Sequence, residues 1–264
     1  MKIRSLLLIG LLLVTGCSRP TTHVSTSKLA ALAPDCQSAG TVQAADLDLG
    51  SGLRYHYNLY LPPCYDGGAG GTVYPILYLV PGRSSAPETW FAAGLAPVAD
   101  ELILSRELPP FIIVTTENTE FDMPADNITK VLMPYIESTY PISPERRYHA
   151  VGGGSLGCVA SYRIGFRAPE RFASVGMFGC GVISGEEPQV RTWLAAMTPG
   201  NTPRVFLNTG FQDPLMMERA RAMMGILDEY GISHTHVFTD GPHAYSYWIT
   251  NMPAYLHWVA LDWK

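Results

Sequence analysis

The stretch Gly153-Gly154-Ser155-Leu156-Gly157 lies between a short apolar run and a segment with helical character. It has the form Gly-x-Ser-x-Gly, which places a serine on a sharp turn from a strand into a helix. Side chains at the glycine positions would collide with neighbouring backbone in such a turn. The turn pushes the Ser155 hydroxyl out of the sheet at a helix N-terminus, where the helix dipole favours negative charge. The pentapeptide therefore indicates a nucleophilic serine.

A nucleophilic serine needs a general base and an acid that orients this base. The run 205–210 is typical of a buried strand and leads to Asp213, and 236–239 is a second such strand that leads to His243. Both side chains thus follow a strand directly, at the edge where α/β sheets carry their chemistry. We predict that Ser155 is the nucleophile, that His243 is the base, and that Asp213 fixes the histidine tautomer. Without such partners, the pentapeptide would be an ordinary glycine-rich turn.

Other histidines and acids near these positions are weaker candidates. His234 and His236 lie at the start of a predicted strand, at the opposite end from the catalytic edge. Glu218 lies inside a helix-like stretch, and Asp240 precedes the candidate base within one loop. Asp213 is favoured over both because it directly ends a strand. The remaining histidines with predicted structural roles are His56, His149 and His257.

Strand-like and helix-like stretches alternate through the chain, which predicts an α/β fold with a mainly parallel central sheet and helices on both faces. An antiparallel hairpin of 41–49 and 53–61 precedes them. No insertion is long enough for a large lid. The predicted strands are 74–80, 111–116, 147–152, 173–179, 204–209 and 235–239, and the predicted helices are 95–106, 126–139, 156–168, 188–197, 215–230 and 252–262.

From about Cys36 onward the chain resembles the esterase D and enterochelin esterase-like group of α/β-hydrolases, which includes feruloyl and acetylxylan esterases and mycolyltransferases. The resemblance implies an α/β-hydrolase fold, an ester substrate and no cofactor. The stretches that carry it run in family order and are 60–65, 74–82, 132–136, 153–157, 168–172, Gly241-Pro242-His243 and Trp248.

The resemblance also implies an oxyanion hole made by the backbone N–H groups of Leu156 and Arg83. Pro81 precedes Gly82 where the family usually has histidine or aspartate. Backbone donors tolerate that change, although it is expected to shift the loop. Gly154 stands where the family often has a larger residue, and this glycine is expected to loosen the turn.

Loops near the predicted serine carry aromatic and apolar side chains that form a candidate wall for an acyl group or a sugar. Packing is the alternative role for each of them, and Trp248 is expected to support the loop of His243. The predicted substrate-binding residues are Trp90, Phe121, Met123, Tyr245 and Trp248.

The composition fits one enzyme domain. A chain of 264 residues with 47% hydrophobic content buries a single sizeable core. The net charge of -5 gives no electrostatic reason to expect a nucleic-acid partner. No nucleotide or zinc motif is evident, so neither a cofactor nor a metal is predicted.

The N-terminus predicts export. Residues 1–16 have a basic start and a short apolar run, as a signal peptide does. Val14-Thr15-Gly16-Cys17 resembles a bacterial lipobox, which implies cleavage before Cys17, a lipid on that cysteine and anchoring to the outer membrane or to the outer face of the cell membrane. Residues 17–35 are then the lipidated cysteine and a tether, and 36–264 the catalytic domain. An ordinary secretory signal or an uncleaved anchor is the alternative.

Export favours disulfides among the four remaining cysteines. Cys36 and Cys64 flank the open end of the predicted hairpin, so they are expected to pair. Cys158 follows the serine on its helix, and Cys180 follows an adjacent predicted strand. A bridge between these two is predicted, with two buried thiols as the alternative.

The sequence therefore predicts an exported, lipid-anchored serine carboxylesterase. Acetyl or feruloyl esters of polysaccharides are the expected substrates, by analogy with the family alone. The alternatives are an envelope acyltransferase of the mycolyltransferase type, a siderophore esterase, and a non-catalytic envelope or carbohydrate-binding protein.

Overall fold

The computed structural model describes residues 27–50, 53–118 and 127–263. Within them, eight strands form one sheet in the order β10-β9-β8-β7-β5-β6-β3-β2. The strands β2 and β3 form an antiparallel hairpin and β3 is antiparallel to β6, whereas the neighbours from β6 to β10 are parallel. Their bounds are Thr41–Gly50 (β2), Leu53–Leu61 (β3), Ile76–Val80 (β5), Ile112–Thr116 (β6), His149–Gly154 (β7), Ser174–Phe178 (β8), Arg204–Gly210 (β9) and His234–Thr239 (β10).

Helices cover both faces of this sheet, and each face has its own hydrophobic cluster. The helices α3 to α6 pack on one face, and α1, α2, α7 and α8 pack on the other. No helix in the described ranges is long and apolar enough to cross a membrane. The helices are Thr89–Ala92 (α1), Leu95–Leu104 (α2), Met133–Thr139 (α3), Leu156–Arg167 (α4), Glu187–Ala195 (α5), Pro214–Glu229 (α6), Tyr245–Thr250 (α7) and Met252–Val259 (α8).

The predicted fold class is confirmed, because the central strands are buried on both sides. Every residue of β5 and β6 is buried, as expected for parallel strands between two helical layers. The predicted strand 74–80 is wrong in its first part. Thr72–Val73 form a separate short strand, β4, and the main strand starts only after Pro75, whose ring nitrogen carries no hydrogen to donate.

Part of the predicted tether lies against the catalytic domain instead. Lys28–Leu29 form a strand, β1, that pairs with β4 in parallel. The Arg106 guanidinium donates hydrogen bonds to the carbonyl oxygens of Leu32, Ala33 and Pro34 at 3.0–3.3 Å. Residues 28–29 and 32–34 of the predicted tether therefore contact the folded part of the chain. The predicted signal peptide and Cys17 lie outside the described residues.

Both predicted disulfides are present. Cys36 and Cys64 join the segment before the hairpin to the segment after it, with their Cα atoms 6.0 Å apart. Cys158 on α4 joins Cys180, just beyond β8, with a Cα separation of 6.1 Å. The second bridge is buried and ties the helix that follows Ser155 to the adjacent strand.

Candidate active site

Ser155 occupies the turn between β7 and α4, and its backbone has a conformation that residues other than glycine rarely adopt. Its φ of 54° and ψ of −120° depart from the ordinary regions for a residue with a Cβ atom. Its N–H donates to the carbonyl oxygen of Phe178 on β8 at 2.8 Å, which holds the turn in place. The strain presents the hydroxyl at the carboxyl edge of the sheet, as the Gly-x-Ser-x-Gly pattern predicts.

Gly154 lies where the packing leaves no room for a side chain, which gives a steric reason for glycine at this position. A Cβ atom at Gly154 would lie 2.5 Å from Cζ3 of Trp248, closer than real contacts allow. The indole ring thus occupies the space where a larger residue would place its side chain. The glycine is required by close packing.

The three predicted side chains meet at this edge. His243 Nε2 lies 2.9 Å from Ser155 Oγ, and His243 Nδ1 lies 2.5 Å from Asp213 Oδ2. The serine, the histidine and the aspartate therefore form one continuous line of hydrogen bonds. The imidazole is placed to accept the serine proton through Nε2, while the carboxylate accepts the hydrogen on Nδ1.

Asp213 is held by the local structure of its loop. It is the N-cap of α6, and its Oδ1 accepts a hydrogen bond from Met216 N–H at 3.4 Å. The Gln212 N–H donates to the carbonyl oxygen of Gly241, which joins the aspartate loop to the histidine loop. The competing acid Asp240 instead accepts from the Gln212 side chain at 3.0 Å.

Two predicted substrate-binding residues lie beneath the site rather than in it. Trp90 is fully buried, and its Nε1–H donates to the carbonyl oxygen of Val80 at 3.3 Å. Trp248 is 2% exposed and packs edge-on against the His243 ring at 5.2 Å. Their predicted contact with substrate is wrong because neither ring reaches the surface, whereas support of the histidine loop by Trp248 agrees with its position. Phe121 and Met123 lie outside the described residues.

Tyr245 has a role that the sequence did not reveal. Its hydroxyl oxygen accepts a hydrogen bond from Gly82 N–H at 2.6 Å, and burial raises the pKa of this phenol. A Cβ atom at Gly82 would lie 3.6 Å from the Cβ atom of Ser155, so this bond fixes backbone that borders the nucleophile. The contact joins positions far apart in the chain, and no local pattern signals it.

The loop 81–83 is fixed despite the unusual proline. The Pro81 carbonyl oxygen accepts a hydrogen bond from Asn118 Nδ2 at 2.8 Å, and Tyr245 binds the N–H of Gly82. The next backbone N–H is that of Arg83. Leu156 is the first residue of α4, so its N–H has no partner within the helix. These are the two donors predicted for the oxyanion hole.

The eight-stranded sheet, with a strained serine after its central strand and a histidine and an aspartate at the same edge, defines an α/β-hydrolase. A family model described as "Putative esterase" matches residues 51–259. The chain belongs to this esterase family.

Known proteins of similar sequence and structure include several esterases. An endo-1,4-beta-xylanase/feruloyl esterase of Xylanibacter ruminicola is 28% identical over 145 residues, which cover 49% of this chain and 20% of that protein. The chain thus spans about a fifth of the length of this curated relative. A feruloyl esterase module from Clostridium thermocellum, in complex with sinapinate, has a TM-score of 0.73 at 19% identity over 88% of this chain and 94% of that one.

A ferulic acid esterase from Anaeromyces mucronatus, in complex with ferulic acid, has a TM-score of 0.71 at 17% identity and covers 88% of this chain and 95% of that one. A fluorophosphonate-binding serine hydrolase from Staphylococcus aureus has a TM-score of 0.71 at 14% identity over 84% of this chain and 99% of that one. At these identities the structural likeness establishes the shared fold.

Proposed function

We propose that this protein is an exported serine carboxylesterase with the catalytic triad Ser155, His243 and Asp213. One observation carries the proposal: the hydrogen-bonded line from Ser155 Oγ through both ring nitrogens of His243 to Asp213 Oδ2. An ordinary loop histidine has no need of a strained serine on one side and a helix-capping carboxylate on the other.

The reaction follows from this geometry. Ser155 Oγ attacks the ester carbonyl carbon while His243 Nε2 takes its proton, and Asp213 stabilises the resulting imidazolium. The N–H groups of Leu156 and Arg83 bind the negative oxygen of the tetrahedral intermediate. The imidazolium then protonates the leaving alcohol, and an acyl-enzyme forms. Water, deprotonated by the same histidine, releases the acid and restores the serine.

Acetyl or feruloyl esters of polysaccharides are the proposed substrates. The support comes from similar proteins, since a curated relative and several structural neighbours are named feruloyl or ferulic acid esterases. Ser155 itself is partly exposed, so an ester can reach its hydroxyl from solvent.

Export and a lipid anchor on Cys17 complete the proposal. Two disulfides favour an oxidising compartment outside the cytoplasm. The basic start, the apolar run and the lipobox-like Val14-Thr15-Gly16-Cys17 supply the signal. We expect Cys17→Ala to abolish incorporation of labelled fatty acid and to release the protein from the membrane fraction. Equal labelling of the variant and the parent would contradict a lipid on this cysteine.

The esterase proposal is tested with p-nitrophenyl acetate and p-nitrophenyl butyrate. Ser155→Ala is expected to lower kcat by about 10⁵- to 10⁶-fold, because the nucleophile is removed. Ser138→Ala is the matched control, since this serine lies exposed on α3 and bonds only the carbonyl oxygen of Tyr135. A folded parent that is no faster than Ser155→Ala would refute the triad.

A further inference from the structure

A cavity of about 560 Å³ lies at the same edge of the sheet as Ser155, between the hairpin β2–β3 and the loop that follows β5. Its size is typical of pockets that bind small molecules. We call it the hairpin cavity. None of the triad residues lines it, so the ester chemistry described above leaves it without a role.

The floor of the hairpin cavity is one face of the hairpin. Ala44 pairs with Asn58, and Asp46 pairs with His56. Residues two apart in a strand point to the same face, so these four side chains share one side of the sheet. The opposite wall is the loop 84–88.

The wall is held in place over the sheet. Thr115 pairs with Asn58 across β3 and β6, and it is fully buried. Its hydroxyl donates to the carbonyl oxygen of Pro87 at 2.6 Å, which fixes the loop above the floor. The cavity is therefore formed before any ligand arrives.

Asn58 is the feature of the floor that points to a ligand. The residue is 7% exposed, and its side chain lines the cavity. No hydrogen bond of its side-chain amide is found in the part of the chain that the structure describes. Neither amide atom is among the fully buried atoms that have no partner, so both are accessible and offer a molecule in the cavity a donor and an acceptor.

The charges of the cavity select the kind of molecule. The acids Asp46, Glu88 and Glu117 line it, whereas none of its described lining residues is a lysine or an arginine. The only ring that can be cationic, His56, is bound to Asp46 Oδ1 through Nδ1 at 2.5 Å. The carboxylate of Asp46 also accepts a hydrogen bond from Arg54 Nη1 through Oδ2 at 3.2 Å, and the hydrogen bond from His56 lowers its pKa. Anions are repelled, and neutral hydroxyl groups find acceptors.

The hairpin cavity also shares a wall with the esterase site. Ser84 and Ser85 line the cavity, and Ser85 N–H donates to the carbonyl oxygen of Gly82 at 3.2 Å. Gly82 borders Ser155 and is held by Tyr245. One short loop thus faces the nucleophile on one side and the cavity on the other.

We propose that the hairpin cavity binds a neutral sugar unit in the alcohol portion of the ester. The Asn58 amide and the carboxylate of Asp46 bind its hydroxyl groups, and Ala44, Ala86 and Pro87 contact its apolar face. The inference rests on the proposed esterase function, because the sugar is placed beside an ester at Ser155.

The test uses oligosaccharides that contain no ester, so binding is measured apart from catalysis. Xylotetraose, cellotetraose and mannotetraose are titrated into the full chain by calorimetry, with tetragalacturonate as an acidic comparison. Ala44→Trp places an indole in the cavity from the exposed edge strand, and Val42→Trp adds the same ring on the same face of β2 outside it. Thermal unfolding confirms that both variants are folded.

At least one neutral tetrasaccharide is expected to bind the parent and Val42→Trp equally, and to bind Ala44→Trp at least about tenfold more weakly. Tetragalacturonate is expected not to bind. A parent that hydrolyses p-nitrophenyl acetate but binds no neutral tetrasaccharide at millimolar concentration would overturn the sugar site alone. Unchanged binding by Ala44→Trp, or preference for the acidic sugar, would overturn it as well. Sugar binding by a parent without esterase activity would instead overturn the proposed function.

Discussion

Two histidine–carboxylate pairs in this molecule have the same geometry but different surroundings. His243 and Asp213 meet at 2.5 Å at the carboxyl edge of the parallel strands, and His56 and Asp46 meet at 2.5 Å across the hairpin. We call these the edge pair and the hairpin pair. A disulfide belongs to the region of each pair: Cys158–Cys180 joins the helix after Ser155 to the segment just beyond β8, and Cys36–Cys64 closes the open end of the hairpin.

The surroundings give the two pairs different chemistry. The carboxylate of the edge pair is 14% exposed and caps α6, whereas that of the hairpin pair is 39% exposed and is shared with Arg54 at 3.2 Å. Only the edge pair, through His243 Nε2, reaches a serine on a strained turn. A histidine–carboxylate contact is therefore an ordinary polar pair until a nucleophile and buried support are added.

Replacing each histidine in turn should give the largest difference in kcat between the edge pair and the hairpin pair. His243→Ala is expected to lower kcat for p-nitrophenyl acetate by about 10⁵- to 10⁶-fold, since the serine loses its base. His56→Ala removes only an exposed polar pair and is expected to change kcat by about twofold. Comparable losses in the two variants would show that the hairpin pair takes part in the chemistry.

The two disulfides sharpen the comparison at a smaller scale. Replacing both cysteines of either bridge with alanine should lower the free energy of unfolding by about 3 kcal/mol, as chain entropy predicts for loops of this length. Only loss of Cys158–Cys180 is expected also to lower kcat, because Cys158 lies in the first turn of the helix after Ser155. Urea unfolding and steady-state kinetics on both double variants measure these effects. A similar fall in kcat without Cys36–Cys64 would contradict this assignment.

The smallest expected effect concerns Tyr245, which supports the surroundings of the edge pair. Tyr245→Phe removes the acceptor for Gly82 N–H, a bond worth about 1 kcal/mol, and should lower kcat about fivefold without changing KM. Tyr247→Phe is the matched control. Its hydroxyl bonds Thr239 at 2.9 Å, outside the loop at Ser155, so its loss should affect stability and leave kcat unchanged. A rise in KM for Tyr245→Phe would instead indicate that the phenol binds substrate.

Most of the fold could be predicted because its sequence signals are local. The same holds for Ser155, Asp213 and His243. A run of buried residues predicts a parallel strand, and a polar residue just after it predicts a position at the carboxyl edge. Asp213 and His243 follow β9 and β10 in this way. The hydrophobic pattern of a segment can be recognised without knowing which other parts of the molecule it contacts.

Other features depend on contacts that the sequence does not state. Trp90 looks like a surface aromatic in a loop, but it lies in the short helix α1, which buries the ring. The attachment of residues 28–35 depends on a strand pair with 72–73 and on the Arg106 guanidinium. Of the hairpin cavity, only the hairpin itself was predicted from the sequence, and the pairing of Asp46 with His56 comes from the structure. What was missing was the loop above it.

The indole of Trp248 fills the space that a side chain at position 154 would need. The ring under His243 can be as wide as an indole because neither the residue before the serine nor Gly179 has a side chain. A larger residue at 154 requires a smaller one at 248, so neither position can change alone without strain or a void. The two residues therefore form one packing unit, in which the sequence of the turn sets the size of the support beneath the base.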